Sequence, residues 1–345
     1  MSPTRASSAP FRYAALGPVA SFVPPRVVDN DELNREFAPE NIDRLAAKTG
    51  IVSRHVVDGE TSSDLAVGAA ERLFRENGID RDEVDFLLLC TQSPDFTMPS
   101  TSSLVQHRLG LPNRVGALDL TVGCSGYVYA LGVAKGLIES GQARTILLVT
   151  VDTISRFINP ADRQLRSLFG DGASASLVTA SAEAPALTGF AYGTDGSGVE
   201  HLIVPGGGFA DPSVLAPKSL PAARGLTPSG RDLYMNGPEV FTFSLRVVPE
   251  VVDRSLRSAG VTMDDIDVFV LHQANAFMLE TLRRKLGIDP SRFVVEMHEV
   301  GNTTSTSIPL ALEAALAGGR ASRGQKALFV GFGVGLSWAA AVVDL

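Results

Sequence analysis

"GIDRDEVDFLLLCTQ", residues 78–92, returns as "GVTMDDIDVFVLHQA", residues 260–274. Glycine opens both copies, aspartate recurs at 82/264 and 85/267, and an apolar run follows in each, all at an offset of 182 residues. At that same offset "RTILLVT" (144–150) lies over "KALFVGF" (326–332). Short unbroken apolar runs suit strands buried on both faces. Between them lie stretches with apolar residues three and four apart, at 64–77, 125–140, 238–259, 276–286 and 308–317, which predict helices. Alternating strands and helices predict parallel sheets with helical crossovers in each half. The chain therefore reads as a duplicated α/β protein with halves at 1–185 and 186–345, packed face to face with a site between them. The Pro/Gly-rich stretch 203–230 reads as an ordered insertion loop, because apolar residues keep interrupting it.

Composition narrows the function classes. The chain has 345 residues, 45% hydrophobic and 20% charged, enough to bury a large core. A net charge of −8 supplies no global field for nucleic acid or an anionic membrane. Two cysteines, Cys90 and Cys124, make no disulfide framework, and the opening "MSPTRASSAPFRYAAL" lacks the apolar core of a signal peptide. A reducing cytoplasm is the expected location. The most apolar stretch, 327–343, is broken by glycines and reads as two buried strands around a turn rather than a membrane span.

Three short segments fall at ends of expected strands, where open α/β sheets bind ligands. "VGCSG" puts Cys124 at a strand-to-helix turn, "VFVLHQAN" puts His272 directly after a strand, and "HEVGNTTSTSIPLAL" puts Asn302 in a polar turn before a helix. Taken singly, each has a bland reading: a small buried hydrophobe, a core histidine, a turn residue. Duplication brings corresponding strand ends together, so that one half supplies the thiol and the other the imidazole and carboxamide. Gly123 and Gly126 are expected to let the backbone turn sharply and approach a substrate. The helix starting near Ser125 is expected to favour the thiolate.

In this order and spacing, "VGCSGY", "HQAN" and "GNTTSTSIPLAL" resemble the Cys-His-Asn set of β-ketoacyl-acyl carrier protein synthase III, within the thiolase-like superfamily. The likeness extends through "LAAKTGIVSRHV", "FGDGASASLV" and "GFGVGLSWAAAVV". It implies a thiolase-like fold of αβαβα layers and a decarboxylative Claisen condensation. Cys124 takes an acyl group from an acyl-coenzyme A or acyl carrier protein. His272 and Asn302 stabilise the enolate of a malonyl thioester, and backbone N–H groups of Cys124 and Val334 hold the oxyanion. No metal or redox cofactor is implied, coenzyme A or phosphopantetheine thioesters being substrates. Thiolases are disfavoured, since "GFGVGLSW" carries no second cysteine; a papain-like protease would not show the duplication, "HEVGN" lacks a zinc helix's second histidine, and "GFGVGL" is no phosphate loop. Two alternatives remain: transfer of the acyl group to an oxygen or nitrogen nucleophile, and a catalytically silent carrier-binding subunit.

The resemblance also maps the carrier path. Arg44 and Lys48 stand where the family has a tryptophan and an arginine, Pro238 where it has a polar residue, and Phe277 where it has a basic one. Arg163 remains as a phosphate contact and Asn275 as a pantetheine contact. Arg283, Arg284 and Lys285 form a patch suited to an acidic carrier protein, or one that merely complements a helix C-terminus. Met98 is expected to reach across a homodimer into the partner's acyl pocket, where its flexibility would admit unusual chains. A specialised priming role, in polyketide or other secondary-metabolite synthesis rather than general fatty-acid initiation, is the expectation.

Overall fold

The computed structural model describes residues 13–210 and 230–345; the first twelve residues and 211–229 of the expected insertion loop lie outside them. The strands are β1 (Tyr13–Phe22), β2 (Val27–Asp29), β3 (Ser53–His55), β4 (Phe86–Cys90), β5 (Gly116–Leu120), β6 (Thr145–Asp152), β7 (Gly172–Ser181), β8 (Leu187–Thr194), β9 (Leu202–Ile203), β10 (Tyr234–Met235), β11 (Val268–Leu271), β12 (Lys326–Gly333) and β13 (Ser337–Asp344). The α-helices are α1 (Asn30–Glu36), α2 (Asp43–Thr49), α3 (Ser62–Asn77), α4 (Thr101–Arg108), α5 (Gly126–Glu139), α6 (Arg163–Leu168), α7 (Gly237–Ala259), α8 (Ala276–Leu286) and α9 (Ser307–Ala317).

Two large sheets carry the duplication. One runs β1-β7-β6-β4-β5, the other β11-β12-β13-β8. β4 is parallel to β5 and β6, and β11 is parallel to β12, while the remaining neighbours are antiparallel. An isolated parallel bridge from Phe269 to Phe293 stands where a fifth strand of the second sheet would be. The sheets are therefore mixed rather than purely parallel.

The layers follow from which side chains each strand sends to which face. Leu87 and Leu89 of β4 join Leu65, Ala69 and Leu73 of α3 in one core, while Leu88 joins Leu131 of α5 and Ile308 and Leu312 of α9 in another. On β11, Val270 faces that same central core, and Phe269 and Leu271 pack with Val247 and Val251 of α7 and Leu279 of α8. The order is α3/α4, sheet, α5/α9, sheet, α7/α8, an αβαβα stack of thiolase-like form.

The repeated residues have structural work in both copies. Gly78 and Gly260 end α3 and α7 with φ of +61° and +70°, the left-handed helix stop that glycine adopts without strain. Asp85 accepts the N–H of Thr145, and Asp267 that of Lys326, each pinning the start of the neighbouring strand. These partners correct the register read from the sequence. Asp85 N–H donates to Thr145 and Asp267 N–H to Lys326, so the second strand pair is offset by 181 residues, not 182. A slip of one would turn every side chain of β12 to the opposite face.

Candidate active site

Cys124 sits between β5 and α5, buried at 5% exposure. It lines a cavity of about 80 Å³ together with His272, Asn302, Asn275, Phe332 and Gly333. The two halves thus bring the three expected groups to one place. A Cβ on Gly333 would lie 2.7 Å from the Cys124 sulfur, so this position must be glycine for the C-terminal turn to press against the thiol. The backbone N–H groups of Val334 and of Cys124 itself draw the thiol's pKa down.

Around Cys124 the glycines work differently from the sequence expectation. Neither Gly123 nor Gly126 has a positive φ. Both are needed for room: a Cβ at 126 would meet the Cys90 sulfur at 2.4 Å, and one at 123 would meet Gln92 at 2.2 Å and Val334 at 2.3 Å. The thiolate expectation is also revised. Burial, aided by the charge of Asp152, pushes the Cys124 thiol up to about 12, while the two backbone N–H groups pull only partly the other way.

His272 follows β11, and its Nδ1 lies 2.7 Å from the Ser307 hydroxyl. Its ring meets Phe332 edge-on at 5.5 Å. Burial drives its pKa down to about 3, against a hydrogen bond with the Thr304 backbone, so the imidazole is neutral at ordinary pH. Asn302 is held by its backbone N–H on Leu168 O at 2.9 Å, and its Oδ1 accepts from Thr304 N–H at 3.0 Å. With Oδ1 engaged, the Nδ2 donors of this cavity-lining residue have no partner in the hydrogen bond to Thr304.

The sequence reading missed what fixes this loop. Asp152, at the end of β6 and fully buried, accepts from Gln92 N–H at 2.7 Å, Ser305 Oγ at 2.6 Å, Ser305 N–H at 3.3 Å and the Thr304 hydroxyl. A carboxylate from one half thereby clamps the segment that carries Asn302 in the other. Thr304, inside the clamp, holds a φ of +50°, unusual for a β-branched residue. One signal was available: the polar run "NTTSTS" at 302–307 precedes an apolar helix, and all six residues are buried. Buried polar runs require partners.

Comparison with known proteins decides the family. Residues 118–196 match the model described as 3-oxoacyl-[acyl-carrier-protein (ACP)] synthase III, and residues 256–345 match its C-terminal counterpart. A 2.1 Å crystal structure of 3-oxoacyl-(acyl-carrier-protein) synthase III is 45% identical, with a TM-score of 0.91 over 96% of this chain and 100% of that one. The chain belongs to the 3-oxoacyl-(acyl carrier protein) synthase III family. The Burkholderia xenovorans LB400 synthase is 37% identical over 97% and 94% of the two chains, with a TM-score of 0.90. The priming β-ketosynthase of the R1128 polyketide pathway is 32% identical over 99% of each, with a TM-score of 0.86. The chain is accordingly an acyl-transferring condensing enzyme.

The outer residues differ in their surroundings. Asn275 caps α8 by accepting Met278 N–H at 2.9 Å and also lines the cavity. Phe277, 57% exposed, stacks on Phe241 at 5.4 Å. Arg44 and Lys48 are exposed on α2, whose end touches α8: a Cβ on Gly50 would lie 2.7 Å from that of Ala276. Arg163 is ion-paired with Glu40. Arg283 and Arg284 share Glu280 at 2.8 and 2.5 Å, leaving Lys285 exposed beside a half-neutralised patch. Met98 is 77% exposed, and Phe96 lines a cavity of about 690 Å³. No described helix is long and apolar enough to cross a membrane.

Proposed function

We propose that the protein charges Cys124 with an acyl group from an acyl-coenzyme A or acyl carrier protein and condenses it with a malonyl thioester, priming fatty-acid or specialised polyketide synthesis. In the first step the Cys124 sulfur replaces the carrier sulfur at the acyl carbonyl, and the displaced carrier thiolate takes up the thiol proton. The N–H groups of Cys124 and Val334 receive the developing oxyanion. In the second, His272 Nε2 and Asn302 Nδ2 hydrogen-bond the malonyl thioester oxygen while carbon dioxide leaves. The resulting enolate attacks the acyl-cysteine, the carbon-carbon bond forms, and the Cys124 thiolate is expelled and reprotonated from water. The observation that carries this reading is the convergence of a thiol, a neutral imidazole and an oriented carboxamide on one cavity.

Transfer to an oxygen or nitrogen nucleophile is the weaker reading. It needs His272 as a base, and an imidazole with its pKa driven down to about 3 accepts protons poorly. A silent subunit has no use for the fully built triad.

The carrier enters past the first turn of α8, with Asn275 and Phe277 against the pantetheine arm, and Arg44 and Lys48 placed for phosphate. Arg284 and Lys285 offer a docking point for an acidic carrier protein. The working unit in this reading is a homodimer joined at β5. That edge strand has one sheet neighbour and exposes Leu118 at 43%, and the chain also exposes Phe96 and Met98.

The test is intact mass after incubation with a panel of acyl-coenzyme A and acyl-carrier thioesters, followed by a malonyl carrier thioester. An acyl adduct absent from Cys124→Ala, then carbon dioxide and a 3-oxoacyl product, is the expected result. An adduct that never leads to carbon dioxide release overturns condensation.

A further inference from the structure

Within "LAAKTGIVSRHV", residues 45–56, the buried charge is Arg54 of β3, which is 0% exposed. Its Nη1 donates to Val28 O at 3.0 Å, and its Nη2 donates to Asn30 Oδ1 at 2.8 Å and to Ser167 O at 2.9 Å. None of these partners is a carboxylate, and its Nε has no hydrogen-bond partner among the described residues. Burial pulls its pKa down to about 10. A cation buried among neutral oxygens is costly, and what this one holds leads directly to a donor of the active site.

The residues after Ser167 are bonded to the Asn302 turn. Asn302 N–H donates to Leu168 O at 2.9 Å, Gly170 N–H donates to Asn302 O at 3.1 Å, and Phe169 and Asn302 form a parallel bridge. Arg54 also touches that turn itself. A Cβ on Gly301, whose φ is +74°, would lie 3.0 Å from the Arg54 Cβ and 3.1 Å from Leu168 O. One on Gly170 would meet Val300 O at 2.1 Å and His55 O at 3.2 Å. The backbone leading into Asn302 thus packs against both β3 and residues 168–170, while Asp152 grips the residues that follow it, Thr304 and Ser305.

We propose that Arg54 is a positioning residue for Asn302: it fixes the Ser167 carbonyl and packs on Gly301, and so holds the backbone that sets the place of the Asn302 carboxamide during decarboxylation. This rests on the reading that Asn302 donates to the malonyl thioester. None of the Arg54 hydrogen bonds goes to β5 or α5, which flank Cys124, so acylation of the thiol does not depend on it. Lysine keeps the charge but lacks the fork that serves three oxygens at once.

The experiment measures adduct formation by intact mass with acetyl- and butanoyl-coenzyme A, and then carbon dioxide release from a malonyl carrier thioester. It compares wild type, Arg54→Lys, Asn302→Ala and the double variant, with melting curves confirming that each is folded. Arg54→Lys should slow carbon dioxide release about tenfold and leave adduct formation within about twofold of wild type. In the Asn302→Ala background it should cause no further loss of the residual release, because a residue that acts through another has no effect once that one is gone. Asn30→Ala removes one of the three acceptors and is the milder variant should Arg54→Lys not fold; it should give the same split, by more than about twofold. Equal slowing in both backgrounds, equal slowing of both steps, or a release rate unchanged within about twofold overturns the positioning role while leaving condensation intact. A wild type that never releases carbon dioxide overturns the proposed function and this inference with it.

Discussion

A thiol buried as deeply as that of Cys124 reacts with simple electrophiles only as fast as it loses its proton. Burial and the Asp152 charge hold that proton to about 12. Alkylation by iodoacetamide should therefore climb about tenfold per pH unit from 7 to 9 without a plateau; a plateau near neutral pH would mean that the helix end and N–H groups dominate after all. His272 works in the opposite direction. Its folded pKa of about 3 lies below the ordinary 6.5, so an unfolded chain binds the extra proton first as pH falls. The stability from its neutral burial is complete above pH 6.5 and is lost between 6.5 and 3. His272→Gln should flatten that part of the urea-midpoint profile against pH; an unchanged slope would assign the acid sensitivity elsewhere. That Cys124, His272 and Asn302 line one cavity was readable because their types and order resemble a known set. Asp152 was not, since one aspartate at a strand end looks like any other until the Thr304 and Ser305 hydroxyls are found on it.

At the scale of elements, capping ties α8 to the site. Asn275 both closes the first turn of α8 and lines the cavity that holds Cys124 and His272. Asn275→Ala should lower stability by about 1 kcal/mol, the usual cost of a lost N-cap, and should also weaken use of a carrier thioester. Urea denaturation and the KM for malonyl carrier thioester check the two effects. Loss of stability with no change in KM would leave Asn275 a cap alone. The helices were legible because three-and-four spacing survives in sequence, as in Leu65, Ala66, Ala69 and Leu73 of α3. Register was less so: apolar runs such as "RTILLVT" and "KALFVGF" are hydrophobic at nearly every position, so nothing in their pattern distinguishes 181 from 182. The hydrogen bonds of Asp85 and Asp267 settle it.

Over the whole molecule, duplication explains why the site lies at the junction. α5, which follows Cys124, and α9, which follows Asn302, share the central layer, while Asp152 reaches across from one half to the other. Asp152→Asn keeps the shape but weakens the acceptor for Thr304, Ser305 and Gln92. It should slow condensation about tenfold or more, with acylation of Cys124 less affected; equal slowing of both steps would contradict a role specific to the Asn302 loop. In the proposed homodimer, Leu118→Arg on the exposed edge of β5 should shift sedimentation toward monomer, and unchanged sedimentation would place the contact elsewhere. The central claim is division of labour between thiol and donors, and one measurement separates them: acyl adduct and carbon dioxide release followed together in Cys124→Ala, His272→Ala and Asn302→Ala. The account predicts no adduct in the first, and adduct with little carbon dioxide in the other two. Full carbon dioxide release without His272 and Asn302 would contradict it.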